Sequence, residues 1–158
     1  MDHKEAIRNE DLERNLFRIL YVLKRALDDW GEERIKALNN PHLQSTFMPF
    51  FMNIGSSGAS NSDLAAMFKI SKQGASRIVK GLEAAGLVRA EKSDKDGRSS
   101  MLYLTNEGQQ FYQQQLGMLN DLKKDYMKLT GAKNYENAID LLLNLIDYHN
   151  NGKGEENK

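Results

Sequence analysis

Lys72, Gln73, Ser76, Arg77 and Lys80 are the side chains of this sequence best equipped for chemistry, and that chemistry is the reading of base pairs. A guanidinium forks onto the two acceptors of guanine and a carboxamide onto adenine, while ammonium and hydroxyl groups take phosphates or base edges. Lys72, Ser76 and Lys80 are spaced i, i+4, i+8, which stacks them on one side of a helix. Ala75, Ile78, Val79 and Leu82, at i, i+3, i+4, i+7, give that helix an apolar side. Glu83, the first acid, falls only near its end. The plain alternative is a solvated face that touches nothing.

A second group lies further on, in Ser93-Asp94-Lys95-Asp96-Gly97-Arg98-Ser99. Segments with β character flank it, Leu87 to Lys92 and Ser100 to Leu104, so it reads as a charged hairpin tip. An Arg on such a tip can enter a minor groove, where the potential is most negative, and Asp96 can hold Arg98 in direction. Charged tips also serve only for solubility. Between Ser60 and Thr105 eight basic residues face five acidic ones, a local excess of three positive charges on a chain of zero net charge. Such a surface favours phosphates without making the whole molecule basic.

Other chemistry is thin. With no cysteine, disulfides, thiolate metal sites and cysteine nucleophiles are excluded. His3, His42 and His149 are isolated, without metal-ligand spacing. No Ser/His/Asp order, paired acids in a loop or phosphate-binding glycine loop is present, so neither an enzyme nor a cofactor is expected. No run approaches the roughly 18 apolar residues of a membrane span, and the charged start lacks a signal-peptide core. The expected location is the cytoplasm.

The elements that must position the reading face follow from caps and periodicity. Ser60 and Asp63 form an S-x-x-D start for a first short helix to Met67, Phe68-Lys69-Ile70 is a turn, and Ser71 caps the helix to Ala85. Ser60 and Ser71 therefore join the binding candidates at helix starts. Gly86 suits the stop. Capped helix, turn, capped helix and hairpin make a winged helix-turn-helix.

The flanks are helical. From about Glu10 to Leu38, Leu12, Leu16, Ile19, Leu20, Leu23 and Leu27 form one stripe that Gly31 interrupts or bends. Asn39-Asn40-Pro41 ends it. Leu43 to Ile54 is apolar, with Pro49 expected to kink or split a helix there. Phe47, Phe50 and Phe51, with Phe17 and Tyr21 of the first helix, are candidates for lining a small-molecule pocket; plain core is the other reading. After Thr105, Tyr112, Leu116, Leu119, Leu122, Tyr126 and Leu129 make a seam on a helix running to about Thr130. Gly131 ends it, and a last helix from about Tyr135 to Tyr148 is apolar nearly all round. One small domain cannot cover that much apolar surface, so Leu12, Leu16, Leu119, Leu122, Tyr126, Leu142, Leu145 and Ile146 are expected at an interface with a second copy. The expected division is 10–54 for support and pairing, 55–105 for DNA binding, 106–149 for pairing, and a flexible tail at 150–158.

The stretch S-N-S-D-L-A-A-M-F-K-I-S-K-Q-G-A-S-R-I-V-K-G-L-E-A-A-G-L-V, with D-K-D-G-R-S-S-M-L-Y-L-T-N-E-G after it, resembles the MarR family (multiple antibiotic resistance regulators). The motif covers Ser60–Gly108; from Leu12 to His149 the likeness is one of helix order. The resemblance implies a mainly α-helical homodimer with a small antiparallel wing, paired through its first and last two helices. It implies recognition helices in successive major grooves of a pseudo-palindromic duplex. Arg98 corresponds to the wing arginine in the minor groove and Asp96 to the acid that orients it; Gly97 stands where a bulkier residue is usual. It further implies a transcription regulator, most often a repressor, released by a small aromatic or phenolic effector. The reading from a different class is a winged helix that binds protein and no DNA.

Overall fold

The computed structural model describes residues 12–92 and 100–151. It divides into two compact units, residues 1–110 and 111–158.

The first unit opens with helix α1, Leu16–Ala37. The helix was expected from Glu10, but Asn15 sets its start: the backbone there is extended, and Asn15 Oδ1 accepts from the N–H groups of Phe17 and Arg18 at 3.1 and 3.3 Å. An Asn at this place satisfies donors that the first turn leaves orphaned. Gly31 does not break the helix. It closes at Leu38 and Asn39, the latter with φ +52°, and Asn40 Oδ1 accepts from the His42 N–H.

Pro49 neither kinks nor splits a longer helix. A 3-10 turn, Ser45–Phe47, leads into α2, Met48–Ile54, and Pro49 sits in the first turn of α2, where a missing N–H costs no hydrogen bond. Helix α3 (Asn61–Met67) and helix α4 (Lys72–Ala84) follow, then strands β2 (Val88–Lys92) and β3 (Ser100–Leu104). A two-residue strand, β1 (Ala59–Ser60), gave no sequence signal. It pairs with Leu102 and Met101, completing an antiparallel sheet in the order β1-β3-β2. The fold is thus mainly α with a small antiparallel wing sheet, as expected.

Buried side chains fill this unit: Phe47, Phe50, Phe51 and Ile54 from the second helical segment, Leu64 from α3, Leu82 from α4 and Leu102 from β3. Thr105 ties the end of the motif together. Its hydroxyl donates to Gly86 O at 2.6 Å, its N–H donates to Leu87 O at 3.0 Å, and its Oγ1 accepts from the Gly108 N–H at 2.9 Å. A Cβ at Gly108 would collide with the Leu87 carbonyl, so glycine is required for this close approach.

The second unit contains most of helix α5 (Asn106–Thr130) and helix α6 (Ala132–Asn151). Gly131, at φ +86°, turns the chain between them, and α6 starts three residues earlier than its apolar pattern suggested. Lys123 Nζ pairs with Glu136 at 2.9 Å and lies 5.6 Å from the Tyr135 ring, which is 6.5 Å from that of Tyr126. Hydrogen bonding to Glu136 holds the Lys123 ammonium above its ordinary pKa. No side chain of α6 is buried.

Candidate nucleic-acid interface

The interface candidate is built by two serine caps and one tight turn. Ser60 Oγ accepts from the Asp63 N–H at 3.4 Å and fixes the start of α3. The turn closes through Ile70 N–H to Ala65 O at 3.0 Å, with Lys69 in the left-handed region at φ +51°. Ser71 Oγ then accepts from the Gly74 N–H at 3.0 Å and fixes the start of α4. Each cap is worth about 1 kcal/mol, and together they set the angular phase of α4.

Phase decides what α4 presents. Ala75, Val79 and Leu82 turn inward and are buried. Gly81 lies against the Phe47 ring, where a Cβ would overlap it, so α4 seats closer to the 3-10 turn than any larger residue permits. A glycine inside an otherwise regular helical pattern is the sequence signal for this contact. Lys72, Gln73, Ser76, Arg77 and Lys80 are all exposed. At 100° per residue they span an arc of about 140°. Among the described residues none of the five has a hydrogen bond or ion pair within the chain. Donors left free along one side of a helix are available to acceptors elsewhere.

At the root of the wing, Lys92 stands opposite Ser100. Arg89 pairs with Glu91 and lies 4.8 Å from the centre of the Tyr103 ring, so this cation is tied to the outer face of the sheet. Lys95, Asp96 and Arg98 lie outside the described residues.

The five aromatic pocket candidates fall into two groups. Phe47, Phe50 and Phe51 are at most 3% exposed and belong to the core, whereas Phe17 and Tyr21 on α1 are 83% and 69% exposed. Within one chain the five do not share a cavity, because the phenylalanines close against α3, α4 and the sheet. A cleft of about 660 Å³ opens instead beside the end of α1, lined by residues that include Ile35, Asn39, Leu43 and Thr46. Of the interface candidates, Leu12, Leu16, Leu119, Leu145 and Ile146 are exposed, and Leu122, Tyr126 and Leu142 are half-buried.

Two capped helices, a tight turn and a three-stranded wing define a winged helix-turn-helix. Residues 49–99 match the MarR family. The fold agrees over a much longer span. A crystal structure of MarR is similar at a TM-score of 0.77 and 17% identity, covering 98% of each chain. The PcaV regulator from Streptomyces coelicolor, solved with its natural ligand, is similar at 0.69 and 17%, over 87% of this chain and 95% of its own. MepR from S. aureus, solved with DNA, is similar at 0.71 and 10%, over 84% and 96%. The chain therefore has the fold of MarR-family transcription regulators. No curated protein matches it in sequence.

Proposed function

We propose that this protein is a homodimeric, sequence-specific DNA-binding regulator that blocks a promoter and is released by a small effector. The observation that carries this reading is the free polar face of α4, held in phase by Ser71 and set on a MarR-type winged helix. Residues 55–105 bind DNA, with Arg77 and Gln73 reading bases, Lys72, Ser76 and Lys80 taking base edges or phosphates, and Ser60 and Ser71 fixing the helix starts. By the family resemblance Arg98 is assigned to the minor groove, with Asp96 to orient it and Lys95 as a further DNA contact. Residues 10–54 and 106–149 pair two copies, with 150–158 as a tail. Support for pairing is the row of uncovered leucines along α1 and α6. The MepR–DNA and PcaV–ligand structures support DNA and a ligand as partners, and the family resemblance suggests a duplex and an aromatic or phenolic effector. The protein acts in the cytoplasm, without a cofactor and without catalysis.

Two-fold symmetry places half-sites about one helical turn, roughly 10 bp, apart. Selection of bound sequences from a random duplex library, followed by anisotropy titration, tests the reading. A palindrome with that spacing is expected. Arg77→Ala should relax preference at one position in each half-site, and Arg98→Ala should weaken all sequences and flatten the salt dependence. No binding to any duplex at micromolar protein and low salt would refute it.

A further inference from the structure

Helix α1 contains the sequence Asp28-Asp29-Trp30-Gly31-Glu32-Glu33-Arg34, and several observations converge on its glycine. A Cβ at Gly31 would meet nothing within 4 Å, so neither packing nor backbone conformation asks for glycine there. Glycine in a helix interior weakens it relative to alanine. The acids on either side add to that weakness: Asp28 faces Glu32, and Asp29 faces Glu33, at i, i+4 across the glycine, and like charges at that spacing oppose the helix.

The ion pairs of α1 divide at the same place. Lys24 Nζ meets Asp28 at 2.6 Å and Arg25 meets Asp29 at 3.9 Å on the near side; Lys36 meets Glu32 at 2.8 Å on the far side. Hydrogen bonding to Lys36 holds the Glu32 carboxyl below its ordinary pKa, so it stays charged. Among the described residues no ion pair crosses Gly31. A side-chain clasp does span it: Arg34 Nη1 donates to the Trp30 carbonyl at 2.9 Å, and its guanidinium lies 3.9 Å from the centre of the Trp30 ring.

The two halves differ in what they touch. Leu16, Leu20, Leu23 and Leu27, before the glycine, are exposed, whereas Ile35 beyond it is the one buried residue of α1. We propose that Gly31 is a hinge, latched by the Trp30–Arg34 clasp, between the half of α1 that pairs with a second copy and the half seated on the winged helix. Bending there changes the distance between two α4 helices while leaving both pairing and winged helix intact. The hinge rests on the homodimeric reading, since a lone chain has no such distance to adjust.

The test uses the full chain, its Gly31→Ala and Arg34→Gln variants, and the duplex that the unaltered protein selects, with and without one base pair inserted between half-sites. All three proteins should remain dimers by sedimentation equilibrium. Insertion should weaken Gly31→Ala at least fivefold more than the unaltered protein, because the stiffened helix cannot adapt, and should weaken Arg34→Gln less. The single tryptophan, Trp30, reports the clasp directly: its emission should change on adding duplex, and change less in Gly31→Ala. Equal insertion penalties, within twofold, for Gly31→Ala and the unaltered protein would overturn the hinge. So would a Gly31→Ala chain that no longer dimerises, for then the partner approaches the glycine. An unaltered protein that is monomeric or binds no duplex refutes the homodimeric DNA-binding reading itself, and the hinge with it.

Discussion

The winged segment and the long helices treat their apolar residues in opposite ways. Between Asn39 and Gln115 the only large apolar side chain left exposed among the described residues is Met67, and the core from Leu43 to Leu104 closes within the first unit. Along α1 and α6 the proportions reverse: Ile35 is the one buried residue of α1, and α6 has none. Leucine is denser along α1 and α6, eight of 42 residues against six of 77 from 39 to 115, so apolar content alone does not decide burial. The lesson is that a self-contained core is made by several short elements meeting at angles, whereas a single long helix exposes whatever its own length cannot fold back upon.

The comparison can be broken or sharpened by substitution. The largest effect is expected from Phe51→Ala, fully buried in the winged unit: about 3–5 kcal/mol lost in urea unfolding. A loss near zero would mean that this unit is not closed on itself. Next, replacing both Leu145 and Ile146 by Glu should weaken self-association at least 100-fold, about 2.7 kcal/mol, by sedimentation equilibrium. The far-UV signal of the winged unit should survive; unchanged association would show that α6 is not where copies meet. Arg77→Ala should leave the unfolding midpoint alone and cost about 1–3 kcal/mol of discrimination between bases, read by anisotropy against single-base variants of the selected duplex. Smallest is Ser71→Ala, about 1 kcal/mol of stability from the lost cap, with a drop in duplex affinity as α4 loses its fixed start. Ser71→Asp should restore the stability by chemical denaturation, since a carboxylate also caps.

Local chemistry was legible in the sequence. Ser60, Ser71 and Thr105 cap, and Gly86 and Gly131 turn the chain, because each acts on backbone groups a few residues away. The two faces of α4 were legible for the same reason, 3.6-residue periodicity being a property of one element. What escaped depends on distant partners. Strand β1 is two residues long and exists through its pairing with β3, so no pattern of its own announces it. Pro49 reads as a helix breaker until the 3-10 turn before it places it in a first turn. Phe47, Phe50 and Phe51 look alike as pocket or core in a string of letters, and only the approach of Gly81 and the neighbouring helices decides for core.

The junction at Thr105 has a mechanical consequence. Two hydrogen bonds pin Thr105 to the exit of α4, and its hydroxyl oxygen caps the first turn of α5, with no room even for a methyl group at Gly108. Helix α5 is 25 residues long, about 37 Å at 1.5 Å per residue. Because the two Thr105 bonds close on the backbone between α4 and β2, a displacement at the first turn of α5 reaches the end of α4 with no slack to absorb it.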